Sequence, residues 1–72
     1  MKILANKEKL VTARIEKGYT GAELARRSGI TKMGYYNIEK QKHGVDPNTA
    51  KSICEALEKN FDELFDIIQA VE

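Results

Sequence analysis

Lys32, Met33, Tyr36 and Asn37 fall at i, i+1, i+4 and i+5 of one short stretch, so a helix there would carry all four on one face. Their types suit contact with the edges of bases. A lysine donates to guanine O6 or N7, an asparagine amide can pair with adenine N6 and N7, and an apolar thioether can cover a thymine methyl. An outward tyrosine ring can pack on sugar or methyl while its hydroxyl reaches phosphate. Each has a plainer reading: Lys32 as a solvated cation near phosphate, Asn37 as an ordinary helix terminator, Met33 as filling against the preceding helix. Immediately beyond lie Lys40, Gln41, Lys42 and His43, where cations and amides would meet a sugar-phosphate chain. A solvated surface loop is the alternative for that cluster.

Two short helices around a tight turn are what must position these groups. Thr20 is an N-cap for a helix over Gly21 to Arg27 with Leu24 and Ala25 inward and Arg26 among its outer charges. Ser28-Gly29 breaks it, since glycine takes positive φ at little steric cost. Thr31 caps a second helix whose inner face is Tyr35 and Ile38. This is the pattern of a helix-turn-helix, in which the second helix enters the major groove of DNA. The set expected to hold the DNA backbone is therefore Thr20, Arg26, Thr31, Lys40, Gln41, Lys42 and His43, while Lys32, Met33, Tyr36 and Asn37 are the base readers. Gly34, inside the reading helix, either lets DNA approach closely or is merely tolerated, at a cost of about 1 kcal/mol relative to alanine.

The order Leu10, Arg14, Gly18, Thr20, then Leu24-Ala25, Gly29-Ile30, Tyr35 and Ile38-Glu39, then Pro47, Ile53, Leu57 and Phe61 to Phe65, resembles the repressor/Cro (XRE-type) helix-turn-helix of phage and mobile-element regulators. The resemblance covers nearly the whole chain. It implies an all-α, compact five-helix, lambda-repressor-like domain over residues 1–72. It also implies a structural ion pair between Arg14 and Glu39, which would stand across a largely apolar face. The chain departs from that pattern in three places. Gly21 stands where the family often has a DNA-contacting Gln, the loop from Lys40 to Asp46 is longer with a later glycine, and Gly34 interrupts the reading helix.

The flanking helices follow from local signals. Asn6 caps a first helix to about Lys17, with Leu10, Ala13 and Arg14 inward, Gly18 ending it, and Val11 and Ile15 as a second apolar pair that predicts wide coverage. Asp46-Pro47 restarts helix, followed by Ala50, Ile53, Cys54 and Leu57 at helical spacing. Asn60 opens a last helix with Phe61, Leu64, Phe65 and Ile68 as its core stripe. Leu64, Ile67, Ile68 and Val71 then form a surplus apolar set, read as the contact of a homodimer. The first five residues receive no assignment.

Seventy-two residues with 42% apolar and 32% charged content describe a small globular chain, with no room for a small-molecule effector domain. Residues 1–51 carry eleven Lys/Arg against five Asp/Glu, net +6, and residues 52–72 one against six, net −5. A basic front and acidic back would orient the protein on DNA. Lys7 to Lys9 truncate any signal-like apolar start, and no run reaches membrane length, which predicts a cytoplasmic protein that does not engage the membrane. One cysteine and one histidine supply no metal set, no cofactor is expected, and no nucleophile-base arrangement or phosphate cradle points to an enzyme. Two function classes follow: a sequence-specific regulator bound to operator DNA, or a protein-interaction module on the same fold, antitoxin-like or an anti-repressor component.

Overall fold

Polar residues that cap helices set most of the architecture. In the computed structural model, which describes residues 1–69, the order is β1 (Lys2–Ala5), α1 (Lys7–Glu16), α2 (Gly21–Ser28), α3 (Lys32–Glu39), α4 (Pro47–Leu57), α5 (Phe61–Leu64) and β2 (Phe65–Ile68). Asn6 Oδ1 accepts from Lys9 N (3.1 Å), Thr20 Oγ1 from Glu23 N (3.1 Å), Thr31 Oγ1 from Gly34 N (3.0 Å) and Asp46 Oδ2 from Thr49 N (3.4 Å). Each satisfies a donor that the first turn of a helix otherwise leaves without a partner. Gly18 and Gly29 leave α1 and α2 at φ 77° and 75°, the left-handed region where a side chain is strained.

The five helices enclose one core. Leu10 of α1, Leu24 of α2, Tyr35 of α3, Ile53 and Leu57 of α4 and Leu64 of α5 are fully buried, with Ala13, Ala25, Ile38, Ala50 and Cys54 filling between them. Burying each large side chain contributes about 1.5–3 kcal/mol. Ile15, expected to be covered with Val11, is instead 62% exposed, while Val11 is half-buried.

The C-terminal end corrects the expected helix. The chain leaves α5 after Leu64, Phe65 turns to extended backbone (φ −134°, ψ 156°), and β2 pairs antiparallel with β1 in the register Lys2↔Ile68, Ile3↔Ile67, Leu4↔Asp66 and Ala5↔Phe65. The first residues thus have a role: they supply the strand that competes with helix for Phe65 to Ile68. The Phe61, Leu64, Phe65, Ile68 spacing fits a helical stripe, but so short an apolar run cannot distinguish helix from strand. Ala5 and Phe65, opposite each other, close the core from this side, and Asn6 N donates to Leu64 O (2.8 Å) at the strand's root. Leu64 is 1% exposed and so is core rather than dimer surface; Ile67 (54%) and Ile68 (45%) are exposed, and Val71 lies outside the described residues.

Candidate nucleic-acid interface

The α2-turn-α3 unit is held rigidly from below. Ile30 N donates to Ala25 O (3.0 Å) and Gly29 N to Arg26 O (3.2 Å), so the left-handed Gly29 closes the carbonyl end of α2 just before Thr31 caps α3. Behind α3, Glu39 Oε2 accepts from Arg14 Nε (3.2 Å) and from the Tyr35 hydroxyl (2.6 Å), and Arg14 Nη1 donates to Tyr19 O (3.0 Å). The pair is largely enclosed, with side-chain exposures of 14% and 10%. Burial above all, and then the hydrogen bond to Glu39, push the Tyr35 phenol well above its ordinary range. Tyr35 is the member of this cluster that the spacing of charges did not disclose, although its i, i+4 relation to Glu39 places the two on one face.

The outer face of α3 is unevenly populated. Lys32 and Met33 project from its first turn, Met33 with 72% exposure, while Asn37 is half-buried one turn on. Gly34 fits beneath the capping hydroxyl: a Cβ there would stand 3.0 Å from Thr31 Oγ1. Tyr36, expected to point outward, does not. Its ring is half-buried against the core, edge-on to Tyr35 with centroids 5.6 Å apart, and its far end covers Gly21, where a Cβ would come within 2.3 Å of Cζ and Oη. The bare backbone at Gly21 leaves a space that only a glycine can leave, and the ring fills it. Glycine followed fifteen residues later by a large aromatic carries no local signal, so this contact emerges only in three dimensions.

Around this face the backbone-holding set divides. Thr20 and Thr31 are exposed and use their oxygens as caps, which leaves each hydroxyl proton free to donate. Arg26 and Arg27 both reach back to Glu23 (2.5 and 2.6 Å), and Arg27 also lies over the Tyr19 ring at 4.6 Å. Arg26 first, and Arg27 after it, hold the Glu23 carboxyl below its ordinary range. Lys40, Lys42 and His43 are exposed just past α3, His43 Nδ1 lying 3.1 Å from Gly44 O. Gln41 is the exception to the expected phosphate contacts. It takes a left-handed turn (φ 61°) and its amide donates to Ala5 O (2.5 Å), while Val45 N donates to Ile3 O (2.9 Å), so the long loop is fastened to β1.

Among the described residues no cluster of three or more His, Cys, Asp or Glu could hold a metal, and no helix is long and apolar enough to cross a membrane. Cys54 is buried; that burial, helped by Glu55 and Glu63, raises its thiol pKa, the reverse of what a nucleophile needs.

A capped helix, a left-handed glycine turn and a second helix exposed at its N-terminal end define a helix-turn-helix protein. The chain belongs to the helix-turn-helix family HTH_3, which matches residues 10–64. Its fold is similar to the restriction-modification controller protein C.AhdI from Aeromonas hydrophila, with TM-score 0.73, 23% identity, and 79% of this chain and 86% of that one covered. It is likewise similar to the clp gene regulator ClgR from Corynebacterium glutamicum (0.72, 26%, 79% and 61%) and to the biofilm master regulator SinR, solved in complex with DNA (0.71, 23%, 78% and 90%). No curated protein matches the chain at a significant level.

Proposed function

We propose that this protein is a sequence-specific, double-stranded-DNA-binding transcriptional regulator, a short Cro-like repressor of a phage or mobile element acting in the cytoplasm. The observation that carries the reading is the solvent-facing start of α3, where Lys32 and Met33 stand free with Asn37 one turn behind, on a helix-turn-helix fixed by the Arg14-Glu39-Tyr35 cluster. The regulators of similar fold support the same reading, one of them solved on DNA. In it, Lys32, Met33 and Asn37 meet base edges in the major groove, and Thr20, Thr31, Arg26, Lys40, Lys42 and His43 hold the two phosphate chains. Repression follows from occupying an operator and excluding polymerase.

Binding is by a homodimer. Val45 and Gln41 fasten β1 to the loop after α3, whereas the outer edge of β2 has no partner among the described residues and carries the exposed Ile67 and Ile68. Two copies joined there would present two α3 helices to half-sites about one helical turn apart.

Selection from random-sequence duplexes followed by mobility shift tests the proposal. It predicts enrichment of a symmetric pair of half-sites. No enrichment, together with no binding at low salt, would assign the outer face of α3 to a protein partner, the antitoxin-like or anti-repressor alternative.

A further inference from the structure

Gly21 has an ordinary negative φ, so its backbone alone does not call for glycine; what a Cβ would meet is the Tyr36 ring, at 2.3 Å from Cζ and Oη and 2.7 Å from Cε1. Those atoms are the far end of a side chain with freedom to rotate about χ1. A side chain at 21 therefore need not unfold the unit; it need only expel the ring. The direction of expulsion is fixed by what surrounds Tyr36. Tyr35 closes the inner side edge-on, and α2 closes the flank, which leaves the solvent face shared with Lys32, one turn earlier on α3.

We propose that Gly21 and Tyr36 form a specificity-determining pair: the glycine at the start of α2 holds the phenol off the reading face of α3, and Tyr36 is a positioning residue rather than a base contact. This rests on the DNA-binding reading above. With the ring folded over Gly21, the surface offered to a base edge is Lys32, Met33 and Asn37; with the ring expelled, a phenol joins them and the preferred base changes. Ring volume does this, so the hydroxyl, which makes no hydrogen bond among the described residues, is dispensable.

Two readouts on the full chain test it. In the free protein, nuclear Overhauser contacts between the Tyr36 ring and the Gly21 α protons are expected, and Gly21→Ala should abolish them while thermal melting stays cooperative. On DNA, duplex selection with Gly21→Ala should shift the preferred base at one position of each half-site by about tenfold. Gly21→Ala in a Tyr36→Ala background should change nothing further, and Tyr36→Phe should read as wild type. The proposal is overturned if the ring contacts survive Gly21→Ala. It is equally overturned if they vanish with the base preference unmoved, or if the Gly21→Ala and Tyr36→Ala effects simply multiply; each of these leaves DNA binding itself intact. Failure of the wild-type chain to bind any duplex overturns the DNA-binding reading, and this inference with it.

Discussion

Glu39 is the residue on which the orientation of α3 turns. Its carboxylate receives both the Arg14 guanidinium and the Tyr35 hydroxyl, from α1 and from one turn earlier in α3, at a site nearly closed to water. Removing one partner of such a pair strands a charge, so Arg14→Met or Glu39→Gln should each destabilise by about 3 kcal/mol. The double change should cost less than the sum, and equilibrium urea unfolding of the four-member cycle measures the difference. Additive, small effects would show that the pair does not orient the helices. Tyr35→Phe keeps the ion pair but removes one charge-assisted hydrogen bond, for an expected loss of about 1.5–3 kcal/mol in the same assay. The resemblance of the sequence to repressor/Cro proteins disclosed the pair; its third member needed the structure.

Among the elements, caps were legible in the sequence and the sheet was not. Thr20, Thr31 and Asp46 each stand three residues before the N–H they accept from, a local relation that depends on nothing distant. The Thr49 hydroxyl, followed by backbone donors, holds the Asp46 carboxyl below its ordinary value of 3.8. The cap's contribution is accordingly complete above that value and is lost as the pH falls through the depressed one. Asp46→Ala should lower the melting temperature at neutral pH, and the gap from wild type should close in acid. The β1-β2 pairing is non-local: Phe65 to Ile68 becomes strand because Lys2 to Ala5, sixty or more residues earlier, lies alongside. Helical spacing in four residues could not reveal that, nor could it show that Gln41 would turn from phosphate to Ala5 O or that Tyr36 would turn inward to Gly21. If the strand closes the core as described, Phe65→Ala should cost about 3–5 kcal/mol, whereas a frayed terminus would lose far less on urea unfolding.

For the molecule as a whole, the decisive features are a net charge of +6 over residues 1–51 against −5 over residues 52–72, and an outer edge of β2 that is unpaired among the described residues. The dimer proposed at that edge predicts that Ile67→Asp with Ile68→Asp yields a folded monomer in sedimentation, with much weakened operator affinity; a wild-type monomer at high concentration, with affinity unchanged in the variant, would contradict it. The arrangement of α3 against the loop after it implies a division of labour. In the proposed DNA-bound state Asn37 would serve one base preference, and Lys42 would serve every duplex alike. The most direct test is a salt titration of affinity for the selected operator and for scrambled DNA, with wild type, Asn37→Ala and Lys42→Ala compared. Asn37→Ala should lose about 1–3 kcal/mol on the operator only, and Lys42→Ala should weaken both duplexes and flatten the slope of log K against log salt by about one per half-site. Identical salt slopes and undiminished operator preference in both variants would contradict the assignment of α3 and its following loop to DNA.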